Sequence, residues 1–378
     1  MVTVLIAGGG TGGHIFPMLA VGAAVRALEP DSEVFYVGTP RGMESRVFGS
    51  LGLALELLDV APLRGGGLSG FARGSWKAAK SLVASRALVK KRRPDVVLSV
   101  GGYAGGPVAL AARALGVPLA ILEPNSVFGF TNKVLSTVAD RVYFAFGDVD
   151  KKVRGGRALR SGVPLRQGFV AAPYEAVAGR FHVAVFGGSQ GAKALNQSVP
   201  GAFIALRERV PHATLLHQCG RGRLLETLAR YAPMLAQGAA PVDVQVAALR
   251  AQGIALVEFV DDMFGELARA DVVVERSGAG ALAELCLVGR ASILVPYPHA
   301  VDDHQWKNAK ALADAGAATI LHQRDATEEG LSRSLEKLAA NADERTRQAS
   351  RARAFAAPDA ALTVAKDLLQ LATSRQGS

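Results

Sequence analysis

Short runs of consecutive apolar residues, each closed by glycine, proline or charge, alternate along this chain with stretches whose apolar positions return every three or four residues. The continuous runs fit strands buried on both faces of a parallel sheet, and the spaced stretches fit helices laid over them. In the first half the pattern predicts strands at 2–7, 33–37, 54–58, 95–100 and 118–122. Helices are predicted at 17–28, 43–51, within 74–93 and at 107–115. The alternation lapses over 151–173, which is rich in Arg, Gly and Pro, and restarts at Arg180. Strands then follow at 182–186, 213–217, 255–259, 272–274 and 292–295, with helices at 192–210, 224–249, 263–270, 280–288, 305–315 and 328–340. This is the order of an α/β protein with doubly wound parallel sheets. We place one domain at 1–164, a second at 165–357, and a C-terminal apolar-periodic helix at 358–378, free to pack back on the first.

Composition narrows the class. At 378 residues, 49% hydrophobic and 20% charged, the chain suits two folded domains. No window of about 18 apolar residues is free of a charge or a glycine cluster, so no membrane span is expected. Residues 1–7 lack the basic flank and the length of a signal peptide, and the protein is expected to stay in the cytoplasm. Two cysteines, Cys219 and Cys286, without metal-ligand spacing, indicate neither a disulfide framework nor a zinc site.

The net charge of +10 is unevenly spread: residues 61–94 carry nine basic side chains and no acidic one. Lys77 and Lys80 there are interleaved with Leu68, Phe71 and Trp76. Such a mixture fits an anionic membrane surface, where each basic residue near the headgroups contributes about 1 kcal/mol. A solvated amphipathic helix ending in basic residues explains the same pattern. No nucleic acid is expected as a partner, because no recognition motif accompanies the charge and the aromatics are not spaced as a stacking platform.

Candidate chemistry sits where strands end. Gly8-Gly9-Gly10-Thr11-Gly12-Gly13-His14 and Gly187-Gly188-Ser189-Gln190-Gly191-Ala192 each follow an apolar strand and open a helix, presenting unpaired N–H groups and a positive dipole end to phosphate. Two such units imply two domains facing one cleft. The first turn satisfies G-x-G-x-x-G, yet the second strand ends in Gly38-Thr39-Pro40-Arg41 without the acidic residue a dinucleotide ribose needs. Nor does this first turn end in the Lys-Ser/Thr of a P-loop. Imidazole titrates near neutrality, so His14 is a candidate general base toward a hydroxyl; an N-cap or packing histidine is the alternative.

Arg276-Ser277-Gly278-Ala279-Gly280-Ala281 again joins a strand to a helix, and Glu284 one turn in suits two ribose hydroxyls or merely the helix dipole. Polar loops at Gly101–Pro107, Glu123–Ser126, Pro296–His299 and Asp302–Gln305 fall at the sheet edge where open α/β folds bind ligands. Asp148-Val149-Asp150 mimics the metal-binding Asp-x-Asp of some sugar transferases, but it lies in a basic loop and is read as coincidence; no metal and no cofactor is expected.

Taken in order, GGGTGGHIFPMLA, GGYAGGP, EPNSVFGFTNK, GVPLR, FGGSQGAKALN, FVDDM and RSGAGALAELCLVGRASILVPYPHAVDDHQWKNA resemble the bacterial UDP-N-acetylglucosamine transferases of peptidoglycan synthesis, collinearly from Met1 to about Ile320. The resemblance implies a GT-B architecture, two Rossmann-like domains with a cleft between them. It implies inverting transfer of N-acetylglucosamine from UDP to the C4 hydroxyl of undecaprenyl-pyrophosphoryl-N-acetylmuramoyl-pentapeptide, by a peripheral protein on the cytoplasmic face of the membrane, alongside other wall-synthesis proteins. Another GT-B enzyme, such as a lipid or small-molecule glycosyltransferase or a nucleotide-sugar epimerase, is the alternative.

Carried over by motif, the donor diphosphate would rest on Ser189, Arg166 and the helix start at Ala279, Gly280 and Ala281. Glu284 would hold the ribose, the Val260 backbone would read the uracil, and Gln305, His304 and Asn125 would contact the sugar. His14 and the turn Thr11 to Gly13 would face the acceptor, the histidine as candidate base, and Thr11, Gly12 and Gly13 are counted with the donor-binding residues as well. The membrane reading of Leu68, Phe71, Trp76, Lys77 and Lys80 gains weight from a lipid substrate. The chain departs from the family pattern at Ala281, where a threonine is common, at Pro124, where a glutamine is usual, and over 220–254, which is longer than the family needs.

Overall fold

The computed structural model describes residues 1–9, 12–40, 44–60, 67–147, 149–188, 190–235 and 240–374, with the backbone alone for 12 and 67–78. The chain divides into two compact units, Met1–Gln167 with Ala357–Ser378, and Gly168–Ala356.

The first unit runs β1 (Thr3–Ala7), α1 (Gly12–Leu28), β2 (Glu33–Gly38), α2 (Glu44–Ser50), β3 (Leu55–Leu57), α3 (Gly67–Arg92), β4 (Val96–Ser99), α4 (Gly102–Ala114), β5 (Leu119–Glu123), α5 (Phe130–Leu135), β6 (Arg141–Phe144) and β7 (Ala158–Arg160). Its sheet has the order β3-β2-β1-β4-β5-β6-β7, with every pairing parallel.

The second unit runs β8 (Phe181–Phe186), α6 (Lys193–Arg209), β9 (Ala213–Gln218), α7 (Leu224–Leu228), α8 (Val242–Ala251), β10 (Ile254–Val257), α9 (Met263–Arg269), β11 (Val272–Glu275), α10 (Ala279–Val288), β12 (Ala291–Leu294), α11 (His304–Asp314), β13 (Thr319–Ile320), α12 (Glu328–Ala339) and α13 (Ala342–Arg353). Its sheet, β10-β9-β8-β11-β12-β13, is also wholly parallel. Each order reverses direction beside its first strand, between β1 and β4 and between β8 and β11, the doubly wound switch point outside which ligands bind.

Burial explains the continuous apolar strands, since Val4, Leu5, Ile6 and Ala7 are all inaccessible, alternate residues packing into cores on opposite faces. The final helix, α14 (Ala360–Thr373), returns to the first unit, where Val364, Ala365, Leu368 and Ala372 join the core beside Ile15, Met18 and Val25 of α1. Asp367 anchors it, accepting from Arg141 Nε at 3.0 Å and from the Tyr143 hydroxyl at 2.7 Å. The second unit's core includes a polar knot. The fully buried His217 ring meets the Tyr231 hydroxyl at 3.0 Å and Asn196 Oδ1 at 3.2 Å, and burial pushes its pKa down to about 3, so it stays neutral.

Several predicted boundaries move. The helices expected from 17 and 107 begin five residues earlier, at Gly12 and Gly102, with Pro17 and Pro107 inside them. Proline marked the start because it lacks an N–H and restrains the residue before it; here the glycines of each turn wind into the first helical turn ahead of it. The helical stretch expected over 224–249 is instead α7, a 3-10 segment Ala229–Met234 holding Pro233, and α8. The patterning missed the short strands β6 and β7 and the helices α5 and α13; α13, ADERTRQASRAR, shows almost no apolar period. Cys219 and Cys286 are buried free thiols.

Candidate functional site

In the first unit three turns meet at the carboxyl edge of β1, β4 and β5. Gly9 (φ 135°) and Gly102 (φ 75°) lie back to back, so close that a Cβ on Gly102 would run into the Gly9 carbonyl oxygen. A Cβ on Gly9 would in turn strike the carboxylate of Glu44, which is fully buried and accepts from the Thr39 N–H at 3.0 Å and the Thr39 hydroxyl at 2.8 Å. Left-handed geometry and close backbone approach both demand glycine here. Gly102→Ala is therefore expected to destabilise the protein by about 2 kcal/mol or more, which a thermal melt against the parent chain measures; an unchanged melt would mean that the two turns are not in contact.

His14 stands in the first turn of α1, half-buried, with Nδ1 3.2 Å from the Gly9 carbonyl oxygen. A carbonyl only accepts, so Nδ1 carries a proton, and in the neutral ring Nε2 is then the nitrogen with the lone pair. Nε2 borders Gly101, lying 3.6 Å from where a Cβ on that residue would sit. The third turn is organised by Glu123, 2% exposed at the end of β5. Its Oε1 accepts from Asn125 N at 3.0 Å and Asn125 Nδ2 at 3.1 Å, and its Oε2 from Gly129 N and Asn132 Nδ2, each at 3.0 Å. Burial raises its pKa, and these hydrogen bonds oppose the rise. Asn125 thus stands in this turn with its amide nitrogen committed to Glu123.

Gly12 and Gly13 are the opening residues of α1, whereas Thr11 lies outside the described residues. Arg166 belongs to this first unit, its guanidinium 5.4 Å from the Phe16 ring centre. Lys80 is exposed on α3; of Leu68, Phe71, Trp76 and Lys77 only the backbone, within α3, is described. Not all of the basic run faces outward, because Arg92 pairs with Glu56 and stacks 4.3 Å over Phe35.

In the second unit the carboxyl edge carries the other predicted group. Ala279, Gly280 and Ala281 are the first three residues of α10, whose N-cap Gly278 gives no side-chain cap, and a Cβ on Gly278 or Gly280 would meet nothing within 4 Å. The first turn thus has no side-chain cap and has room beside its two glycines, an arrangement suited to an anion. Glu284 is half-buried on the second turn of the same helix.

Arg276 is spent elsewhere. It donates to the carbonyls of Val295 and Pro296 at 2.9 and 3.2 Å and to Gln323 Oε1 at 2.6 Å, lacing the β11 turn to the segment after β12. Ser277 continues the lacing through its hydroxyl to the Gln305 carbonyl at 2.8 Å, and Gln305 Oε1 accepts from Tyr297 N at 2.9 Å. Just before α11, Asp302 and Asp303 both hold left-handed φ values of 53° and 57°, strain that presents His304 and Gln305 at the helix start. His304 Nδ1 is 2.7 Å from the Val301 carbonyl oxygen. Val260, 8% exposed, follows β10, the outermost strand on the other side of this sheet, with β8 and β9 between it and β11. Ser189 and Asp148 lie outside the described residues. The turn around Ser189 is framed by Gln218, which accepts from Gly187 N at 3.0 Å and donates to the Gly188 carbonyl at 2.9 Å.

Glu44, Asn132 and Gln218 escaped sequence reasoning as site-building residues. Asn132 alone left a signal, its place in EPNSVFGFTNK, nine positions after the buried Glu123.

Comparison with known proteins agrees with this layout. Residues 4–144 match the glycosyltransferase family 28 N-terminal domain and residues 182–364 the glycosyltransferase family 28 C-terminal domain. The chain is 52% identical, over 98% of its length and 89% of the relative's, to a Sorangium cellulosum protein named UDP-N-acetylglucosamine–N-acetylmuramyl-(pentapeptide) pyrophosphoryl-undecaprenol N-acetylglucosamine transferase. Among solved structures, Acinetobacter baumannii MurG superposes with a TM-score of 0.77 at 33% identity, covering 98% of this chain and all of the other. A Neisseria meningitidis UDP-GlcNAc 2-epimerase, at TM-score 0.64 and 12% identity over 98% of this chain and all of its own, shares the fold alone.

Proposed function

The chain belongs to glycosyltransferase family 28, and from that premise we propose that it transfers N-acetylglucosamine from UDP-N-acetylglucosamine to the C4 hydroxyl of undecaprenyl-pyrophosphoryl-N-acetylmuramoyl-pentapeptide, the step that yields the lipid-linked disaccharide of the cell wall. The observation that carries the reading is the 52% identity to the Sorangium transferase along nearly the whole of both chains.

On this reading the two sheet edges divide the work. His14 Nε2 takes the proton of the C4 hydroxyl as it attacks, with Gly12, Gly13 and Thr11 lining the acceptor side. The leaving diphosphate gains charge as the sugar departs, and the uncapped N–H groups of Ala279, Gly280 and Ala281 suit it, together with Ser189 and Arg166. Glu284 accepts the ribose hydroxyls, the Val260 backbone reads the uracil, and Gln305, His304 and Asn125 meet the N-acetylglucosamine. Glu284→Ala is expected to weaken UDP affinity about 10–100-fold, read by calorimetry; unchanged affinity would reduce the carboxylate to a helix-dipole partner.

Among the described residues no helix is long and apolar enough to cross a membrane. We place the protein peripherally on the cytoplasmic face, docked through α3 with Leu68, Phe71, Trp76, Lys77 and Lys80. In support, Leu82 and Val83 are 41% and 69% exposed between Lys80 and Arg86, while Leu88 and Val89 turn inward.

The deciding assay is transfer of labelled N-acetylglucosamine to a soluble-tailed muramoyl-pentapeptide lipid, with UDP-glucose and UDP-galactose in parallel. Transfer confined to the N-acetyl sugar is expected. Bound UDP with no transfer to this acceptor would overturn the reading.

A further inference from the structure

Asn132 is 4% exposed on α5, and only one end of its amide is served. Nδ2 donates to the Leu122 carbonyl at 2.9 Å and to Glu123 Oε2 at 3.0 Å. Both partners are acceptors, which fixes the nitrogen on that side and the oxygen on the other. Oδ1 is buried and has no hydrogen-bond partner among the described residues. A buried carbonyl left so costs the fold stability that an apolar side chain here would not forfeit, and buried polar atoms in native proteins are otherwise satisfied.

The orphan oxygen is placed beside the reaction. It lies 3.6 Å from the point where a Cβ on Gly101 would sit, as does His14 Nε2, and Nδ2 of the same amide borders that point at 3.4 Å. Gly101, at φ 92°, has no side chain to fill the space, so imidazole and amide oxygen border one small volume above its bare α-carbon. Glu123 sets the amide in place, and its other hydrogen bonds, to Asn125 and Gly129, tie that placement to the turn after β5.

We propose that Asn132 Oδ1 accepts a hydrogen bond from the primary C6 hydroxyl of the acceptor sugar, so that Asn132 fixes the position of the attacking C4 hydroxyl under His14 and selects acceptors that carry this group. The inference rests on the transferase reading above. The C4 hydroxyl has a single proton, and that proton goes to His14 Nε2, so the amide oxygen needs a different donor. On an N-acetylmuramoyl ring the C3 oxygen is an ether and donates nothing, and the C2 acetamido N–H lies beyond it. The C6 hydroxyl is the donor on the C4 side of the ring.

The test compares initial rates of the full chain with UDP-N-acetylglucosamine and two soluble-tailed acceptors, the parent muramoyl-pentapeptide lipid and its 6-deoxy analogue. The native chain is expected to lose at least about tenfold in kcat/KM on the 6-deoxy acceptor. Asn132→Ala is expected to be slow on the parent and to discriminate less than about twofold between the two acceptors. Equal use of both acceptors by the native chain overturns the proposal, as does full discrimination retained by Asn132→Ala. Should that variant melt early because Glu123 has lost a donor, the native-chain comparison decides alone. Absence of transfer to the parent acceptor while UDP-N-acetylglucosamine still binds overturns the transferase reading, and this proposal with it.

Discussion

Replacing His14 by alanine is expected to slow sugar transfer about 10²–10⁴-fold while leaving the affinity for UDP-N-acetylglucosamine unchanged. The expectation comes from the ring's anchorage. With Nδ1 donating to the Gly9 carbonyl 3.2 Å away, the imidazole is held in the tautomer whose Nε2 can accept a proton. Its ring stands in the first unit, at the edge of β1 and β4, while the uncapped donors of α10 belong to the second. Loss of the ring therefore removes a proton acceptor without touching a group assigned to UDP. Single-turnover transfer and UDP titration separate the two effects. A variant that loses donor affinity in step with rate would move His14 from base to donor contact, and one that keeps its rate would leave the ring a packing residue.

The second large effect concerns stability. Glu275 ends β11 with a side chain only 4% exposed, and its Oε1 lacks any hydrogen-bond partner among the described residues. It alternates with Val272 and Val274 of the core, so its carboxyl faces the side of the sheet covered by α10, where Glu284 is its charged neighbour and the Cys286 thiol is close enough to feel its charge. Burial first, and the Glu284 charge second, raise its pKa from 4.5 to about 8. The folded chain thus keeps a proton that the unfolded chain releases, and stability falls as pH rises from the unfolded value through the folded one. The deficit amounts to about 3 kcal/mol at neutral pH and about 5 kcal/mol once both states are ionised.

Glu275→Gln removes this dependence. The variant's melting temperature is expected to exceed the parent's by only a few degrees near pH 5, where the deficit is about 1 kcal/mol, and increasingly up to pH 8, by roughly 2–4 °C per kcal/mol for a unit of this size. Melting curves taken across that range check it. A difference that does not vary with pH would show that the carboxyl is ionised throughout.

Much of the fold was legible because parallel strands buried on both faces write themselves as unbroken apolar runs; Val96–Ser99 and Val272–Glu275 stand where the pattern put them. What patterning could not supply follows from the same physics. Arg141–Phe144 and Ala158–Arg160 are too short to show a period, and α13 buries Arg345 and Gln348 rather than a hydrophobic stripe. Arg345 is held there by the Tyr174 hydroxyl at 2.8 Å and by carbonyls near the end of α12, partners that no local pattern announces.

In the site, glycine turns and the histidine between them were readable, since backbone approach to a ligand requires glycine. Asn132 was not, because its meaning depends on which atoms Leu122 and Glu123 already occupy. Arg276 shows the converse. A guanidinium beside a phosphate-type turn invites an anion-binding role, and three carbonyl groups absorb it instead.

The return of α14 to the first unit bears on how the protein is made. Translation delivers β1 and α1 first, yet the helix that completes their core, through Val364, Ala365, Leu368 and Ala372, emerges only after the whole of 168–356. The second unit can mature on the ribosome while the first still exposes the groove of α1 around Ile15 and Val25. Until residue 372 has left the exit tunnel, the half of the enzyme that carries His14 is the half whose core is incomplete and whose apolar surface is exposed to misassembly.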